Sequence, residues 1–291
     1  MQRPAISLVI TDLDNTVYDW LAAFVPAFYA MVEVAAPLIG VSKDVLLDEL
    51  KAVHQRHGDS EHPFALLETQ SVQRLLRADS INVAEYLDPA FHAFNRVRKQ
   101  NLKLYDGVLE ALRYWSDGSI PVVAYTDARV INCLFRLDHL HIRSFFSALY
   151  APAHVSKELD AEISEGGFVR LLGASDRKPN PQTLLDICAQ YSIAPSKALY
   201  VGDSLVRDVY MAKRAGLHSA WAKFGTLYDK DLWPPLVRVT HWTEADVARE
   251  DGLREQARGT EPEATLDRFD DLLRLYDFER SAIASSSSRR Q

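Results

Sequence analysis

Apolar positions in this chain follow two rhythms, and the change of rhythm divides it. Ala5 to Thr11 (AISLVIT) is a short apolar run rich in β-branched residues that ends in a polar cluster, Asp12-Leu13-Asp14-Asn15-Thr16. A run without polar alternation predicts a strand covered on both faces, as in a parallel sheet. Residues 17 to about 105 instead carry apolar residues at helical spacing, in VLLDELKAVHQRH (45–57), FALLETQSVQRLLRA (64–78) and PAFHAFNRVRKQ (89–100). A polar loop punctuated by Gly and Pro, His57-Gly58-Asp59-Ser60-Glu61-His62-Pro63, separates the first two. After Asp106-Gly107 strands and helices alternate. VLEALRYWSD (108–117), RVINCLFRLDHL (129–140), PQTLLDICAQYS (181–192) and LVRDVYMAKRAG (205–216) read as helices, the last stopped by Gly216. IPVVAYTDA (120–128), SALYAP (147–152), KALYVGDS (197–204) and HSAWAKFG (218–225) read as strands. VRVTHW (237–242) is expected to add a strand, and LDRFDDLLRLYDF (266–278) a closing helix.

Strands alternating with helices imply right-handed βαβ units. The predicted fold class is therefore α/β: a doubly wound, Rossmann-like parallel sheet formed by 1–16 and 106–280, with an all-helical domain, 17–105, inserted. The polar tail, 281–291, has nothing to bury and is expected to be disordered. Trp20 to Val41 is long enough to cross a bilayer. Glu33 in its middle, Pro26 and Pro37 within it, and Asp14 and Asp19 just upstream point instead to a buried helix pair. No basic leader pattern precedes it, so neither a targeting segment nor a membrane partner is expected.

Composition narrows the picture. The 291 residues suffice for two compact units, and 47% hydrophobic with 25% charged residues is ordinary for a soluble globular protein. A net charge of −7 argues against a nucleic-acid polymer as partner. Two cysteines, Cys133 and Cys188, make no disulfide framework and suit the cytoplasm.

Three predicted strands end in carboxylate or hydroxyl residues: Asp12 and Asp14, Thr126 and Asp127, Asp203 and Ser204. In a parallel sheet these ends share one edge, where ligands bind in open α/β folds. Carboxylates held together repel, so they need a cation or raised pKa values. With only oxygen donors on offer, Mg²⁺ is the natural ion. Neither a G-x-S-x-G elbow nor a G-x-x-x-x-G-K-[ST] loop occurs. His54, His57 and His62 lack a clean zinc spacing and read as structural.

The ordered motifs resemble those of the haloacid dehalogenase-like hydrolase superfamily. Asp12-Leu13-Asp14-Asn15-Thr16 is similar to its DxDxT motif, and Tyr125-Thr126 to its strand ending in Thr or Ser. Lys178-Pro179-Asn180-Pro181 is similar to its lysine motif, and Val201 to Asp208 (VGDSLVRD) to its GDSxxxD motif. The likeness covers residues 5 to about 226. It implies Asp12 as the nucleophile that becomes an aspartyl-phosphate and Asp14 as general acid and base. It implies Thr126 and the Asp127 backbone as phosphate ligands, Lys178 as the balancing cation, and Asp12, the Asp14 carbonyl and Asp203 as ligands of Mg²⁺. Asp208 is implied to hold a metal-bound water or orient Lys178. Lys157 competes with Lys178 but lacks the following proline and helix. Two features depart from the family pattern: Asp127, where many relatives carry Asn, and the long stretch from Thr126 to Lys178, whose surplus is expected at 154–174 as a surface excursion.

The helical insertion corresponds to a type I cap, with Arg56, His57 and Glu61 as candidate substrate contacts. The implied function is a Mg²⁺-dependent phosphatase of a small phosphorylated metabolite, active as a monomer or homodimer. A sugar-phosphate phosphomutase is the alternative, with a non-catalytic binding protein behind it. Retention of Asp14 disfavours carbon–halogen cleavage, since a dehalogenase needs no acid for its leaving group.

Overall fold

A computed structural model describes residues 3–62, 64–78, 82–153, 163 and 165–280. The described residues form two compact units: those of 3–19, 103–227 and 253–280 make one, and those of 20–102 with 228–252 make the other.

The first unit is built on a seven-stranded sheet. Its strands are β2 (Leu8–Thr11), β3 (Val122–Tyr125), β4 (Ala148–Pro152), β5 (Val169–Leu172), β6 (Ala198–Gly202), β7 (His218–Trp221) and β8 (Ala264–Thr265), in the order β5-β4-β3-β2-β6-β7-β8. Every pairing is parallel. Leu8, Val9 and Ile10 are all fully buried, which is why β2 reads as an unbroken apolar run. Ser7 interrupts the predicted first strand. Before it, β1 (Ala5–Ile6) pairs in parallel with β9 (Asp277–Phe278) in a sheet of its own.

The second unit is helical. Trp20–Ile39, Lys43–His57, Gln70–Ala78, Val83–Tyr86 and Asp88–Asn101 are its helices up to residue 102. Trp20–Ile39 is one continuous helix with Pro26 and Pro37 inside it, not a pair. By length and composition it could span a membrane. Here Leu21, Phe24, Val25, Phe28, Met31 and Val32 pack into one buried cluster with Leu46, Leu50, Leu66 and Leu87. That burial outweighs the roughly 3 kcal/mol a helix-interior proline costs.

Four other expectations are corrected. The predicted strand 237–242 is instead the end of a helix, Trp233–Val239, whose prolines at the first turn pre-set helical φ. It belongs with the helical unit, so that unit is 20–102 plus 228–252 rather than 17–105 alone. The predicted closing helix keeps only short helical turns at Phe269–Asp271 and Leu272–Leu275 before β9 takes over. Within the 154–174 excursion, residues 154–162 and 164, Lys157 included, lie outside the described residues, but Val169–Leu172 forms the edge strand β5. The tail 281–291 also lies outside them.

Candidate active site

Strand β2 delivers its acids to the carboxyl edge of the sheet. The Asp12 N–H still donates to the Val201 carbonyl (2.8 Å), so its backbone is fixed by the neighbouring strand. A tight turn follows, with Asn15 at φ 57° and the Thr16 and Val17 N–H groups on the Leu13 carbonyl. Gly225 lies against this turn. A Cβ there would sit 1.7 Å from the Asn15 oxygen, so no other residue fits.

The lysine is aimed by its own approach. Tyr125 and Thr183 hydroxyls both donate to the Asp176 carbonyl (2.7 and 3.1 Å), and the Lys178 N–H donates to Asp127 Oδ1 (3.2 Å). The buried ammonium then lies 2.7 Å from Asp12 Oδ1 and 2.8 Å from Asp208 Oδ1. Asp208 is held by Tyr200, whose hydroxyl donates to Oδ1 (2.9 Å), and by the Ser204 N–H on Oδ2 (3.0 Å). It sits in a π turn, Leu205–Val209, at whose start the Ser204 hydroxyl accepts from the Arg207 N–H. A Cβ at Gly202 would meet the Asp208 carboxyl at 2.4 Å, which explains the glycine of VGDS. Asp203 is anchored by the Trp221 indole N–H on its carbonyl (2.7 Å).

Carboxylate oxygens of Asp12, Asp203 and Asp208 all lie within 4.8 Å of one another. Their electrostatics are one-sided. Burial pushes Asp12 up to about 7; Lys178 opposes that rise, while Asp208 and Asp14 add to it. Burial likewise raises Asp203 well above the carboxylate range, and Asp208 and Asp12 reinforce the rise. Burial works against the charge on Lys178, but Asp12, Asp208 and Asp127 outweigh it and raise its pKa. Three carboxylates against one ammonium leave an excess of negative charge among hard oxygen donors. That donor set fits Mg²⁺, which takes one or two carboxylates and keeps waters.

Thr126 is buried and its hydroxyl accepts from the Ala128 N–H (3.1 Å). Asp127 is tied to the Lys178 backbone and to Arg207 (3.4 Å), so its extra charge is partly compensated. Sequence reasoning missed Tyr200, Trp221, Arg207 and Arg136. Arg136 was open to detection, being a cation on the buried face that Val130, Cys133 and Leu137 mark on its helix, Val130–His139.

In the helical unit, Arg56 and His57 both donate to Glu68 Oε2 (2.7 and 2.8 Å), and His62 to Oε1 (2.7 Å). The two imidazoles stack with centroids 3.5 Å apart. Burial opposes ionisation of Glu68, but these three donors hold it down to about 2. Glu61 contributes its N–H to Asp59 Oδ1. His54 stands apart, its Nδ1–H on the Val239 carbonyl (2.7 Å).

A parallel sheet thus gathers Asp12, Asp203, Asp208 and Lys178 at one edge, the arrangement of an α/β enzyme with its candidate site at the strand ends. The model of the haloacid dehalogenase-like hydrolases matches residues 6–216, and the chain belongs to that family. A glyceraldehyde 3-phosphate phosphatase of Methanopyrus kandleri is 27% identical over 232 residues, covering 78% of this chain and 88% of that one. A phosphoglycolate phosphatase of Nitrosospira multiformis is 22% identical, with the same coverage. Among solved structures, a 2-haloacid dehalogenase from Pseudomonas syringae pv. Tomato matches with a TM-score of 0.53 at 18% identity, over 93% of this chain and 97% of that one. A phosphatase from Thermococcus onnurineus matches with the same TM-score at 16% identity, over 95% and 100%. At such identities the structural likeness speaks for the fold.

Proposed function

We propose that the chain is a Mg²⁺-dependent phosphatase of a small phosphomonoester, acting through a phosphorylated Asp12. The observation that carries this reading is the Lys178 ammonium shared between Asp12 (2.7 Å) and Asp208 (2.8 Å) beside Asp203. Asp12 presents a carboxylate oxygen as nucleophile. Lys178 neutralises that carboxylate and the arriving phosphoryl group, and Asp208 keeps the ammonium over the site. Thr126 and the backbone N–H of Asp127 are assigned to the phosphoryl oxygens. Asp14 protonates the leaving alkoxide and then takes a proton from the water that hydrolyses the acyl phosphate. Asp12, Asp203 and the Asp14 carbonyl would hold Mg²⁺, whose charge compensates the carboxylates and the phosphate.

The named functions of the relatives, both hydrolases of small phosphate esters, support the substrate class. Two free, buried cysteines fit a reducing compartment, and we place the protein in the cytoplasm. The test is phosphate release from a panel of phosphorylated metabolites, with Mg²⁺ and with chelator, using Asp12→Asn as control. Turnover lost in both controls supports the reading. Mg²⁺-independent turnover, or turnover by Asp12→Asn, refutes it.

A further inference from the structure

We infer that Arg136 is the positioning residue for Asp14, and that the helix Val130–His139 thereby couples the Thr126 segment to the acid–base group. The inference rests on the phosphatase reading above and adds a residue to it. Arg136 lies on a helix that begins four residues after Thr126 and points a guanidinium at the loop after β2. Its NH1 is 3.1 Å from Asp14 Oδ1 and 3.4 Å from Oδ2, a contact across 122 positions of sequence. The Arg136 side chain is only 7% exposed, whereas that of Asp14 is 23% exposed. The guanidinium carbon also lies 5.8 Å from the ring centroid of Tyr18, a fully buried residue.

Two levels of restraint act on Asp14. Its backbone is set by the turn: Asp14 bridges to Tyr18, and the Asn15 N–H donates to the Tyr18 carbonyl (2.9 Å). Those bonds leave the side-chain torsion of Asp14 free. Arg136 removes that freedom. A guanidinium this buried is costly to leave without a carboxylate, so the pair holds together, and packing against Tyr18 fixes the arginine end. An acid–base group must meet the leaving oxygen within hydrogen-bond reach, and misplacement by about 1 Å costs roughly 10²-fold. Arg136 touches neither phosphate nor nucleophile in this account. It acts through Asp14.

The test compares Arg136→Met and Arg136→Lys with the wild type, on an alkyl phosphomonoester and on p-nitrophenyl phosphate. Thermal melts verify that each variant is folded, and Arg136→Lys carries the test if Arg136→Met is not. For the alkyl ester, Arg136→Met is expected to lower kcat about 10²-fold with KM changed less than about threefold, and Arg136→Lys to recover roughly tenfold of the loss. The stable p-nitrophenolate needs little protonation, so single-turnover phosphorylation of Asp12 by it should be slowed much less. Equal slowing of Asp12 phosphorylation by both substrates, or an unchanged kcat on the alkyl ester, overturns the inference. If the wild type releases no phosphate at all, the functional reading fails by itself. Crystal structures then decide the positioning role: an Asp14 side chain that keeps its rotamer in Arg136→Met refutes it, and a displaced one sustains it.

Discussion

Two carboxylate clusters in this molecule are built oppositely. At the sheet edge, Asp12 and Asp208 share one ammonium beside Asp203, and burial pushes Asp12 up to about 7. In the helical unit, one carboxylate, Glu68, collects Arg56, His57 and His62 and is held down to about 2. Both place ligand-type atoms within 4.8 Å of one another, so proximity does not tell them apart. Charge balance does. The first cluster is short of positive charge, the deficit that the proposed divalent cation would make good. The second is already satisfied by its donors, and its chemistry is that of a structural clasp joining the end of the helix Lys43–His57 to the turn Ala65–Glu68.

The largest expected effect breaks the sheet-edge cluster at its proposed nucleophile. Asp12→Asn should lower kcat by at least about 10⁴-fold, as loss of a nucleophile does, without unfolding the protein. Steady-state assay with circular dichroism checks both halves. Next comes Tyr200→Phe, which removes one of the bonds holding Asp208 while Lys178 and the Ser204 N–H remain. Activity should fall by about tenfold and stability by about 1 kcal/mol, measured by initial rates and denaturant titration.

A third effect depends on pH. Asp12 is raised in the folded state from 3.8 to about 7, so the folded protein holds this proton more tightly than the unfolded chain. In chelator, its contribution to stability is therefore lost as pH rises from 3.8 to about 7. Asp12→Asn should melt higher than wild type across that window, with the gap constant above it. Glu68 runs the other way. Its pKa falls from 4.5 to about 2, so it stabilises above 4.5 and the effect disappears as pH drops towards 2. Glu68→Gln should melt lower than wild type at pH 7, with the gap closing as pH falls from 4.5 through about 2. With more than a third of the side chain exposed, solvent screening makes this the smallest effect of the set.

The sheet-edge cluster was legible in the sequence because its information is local. Asp12 and Asp203 each follow a short apolar run, Asp208 lies five residues beyond Asp203, and parallel strands bring such ends together whatever lies between them. The clasp was only half legible. His57 and His62 are close in sequence, but Glu68 belongs to a different turn, and His54, their neighbour in the sequence, turns to Val239. The Arg136–Asp14 pair and the β1–β9 pairing span most of a domain, and no periodicity reports such contacts. Val237 to Trp242 misled because β-branched residues favour strand, whereas two prolines upstream had already set a helical turn. Val169–Leu172 became an edge strand through pairing with β4, which nothing local to that stretch announces.

The contrast between the two clusters reduces to one measurement: calorimetric titration of Mg²⁺ into wild type, Asp203→Asn and Glu68→Gln at pH 8. The account predicts one site in the wild type, its loss in Asp203→Asn and an unchanged isotherm in Glu68→Gln. Mg²⁺ binding that survives in Asp203→Asn, or disappears in Glu68→Gln, would contradict it.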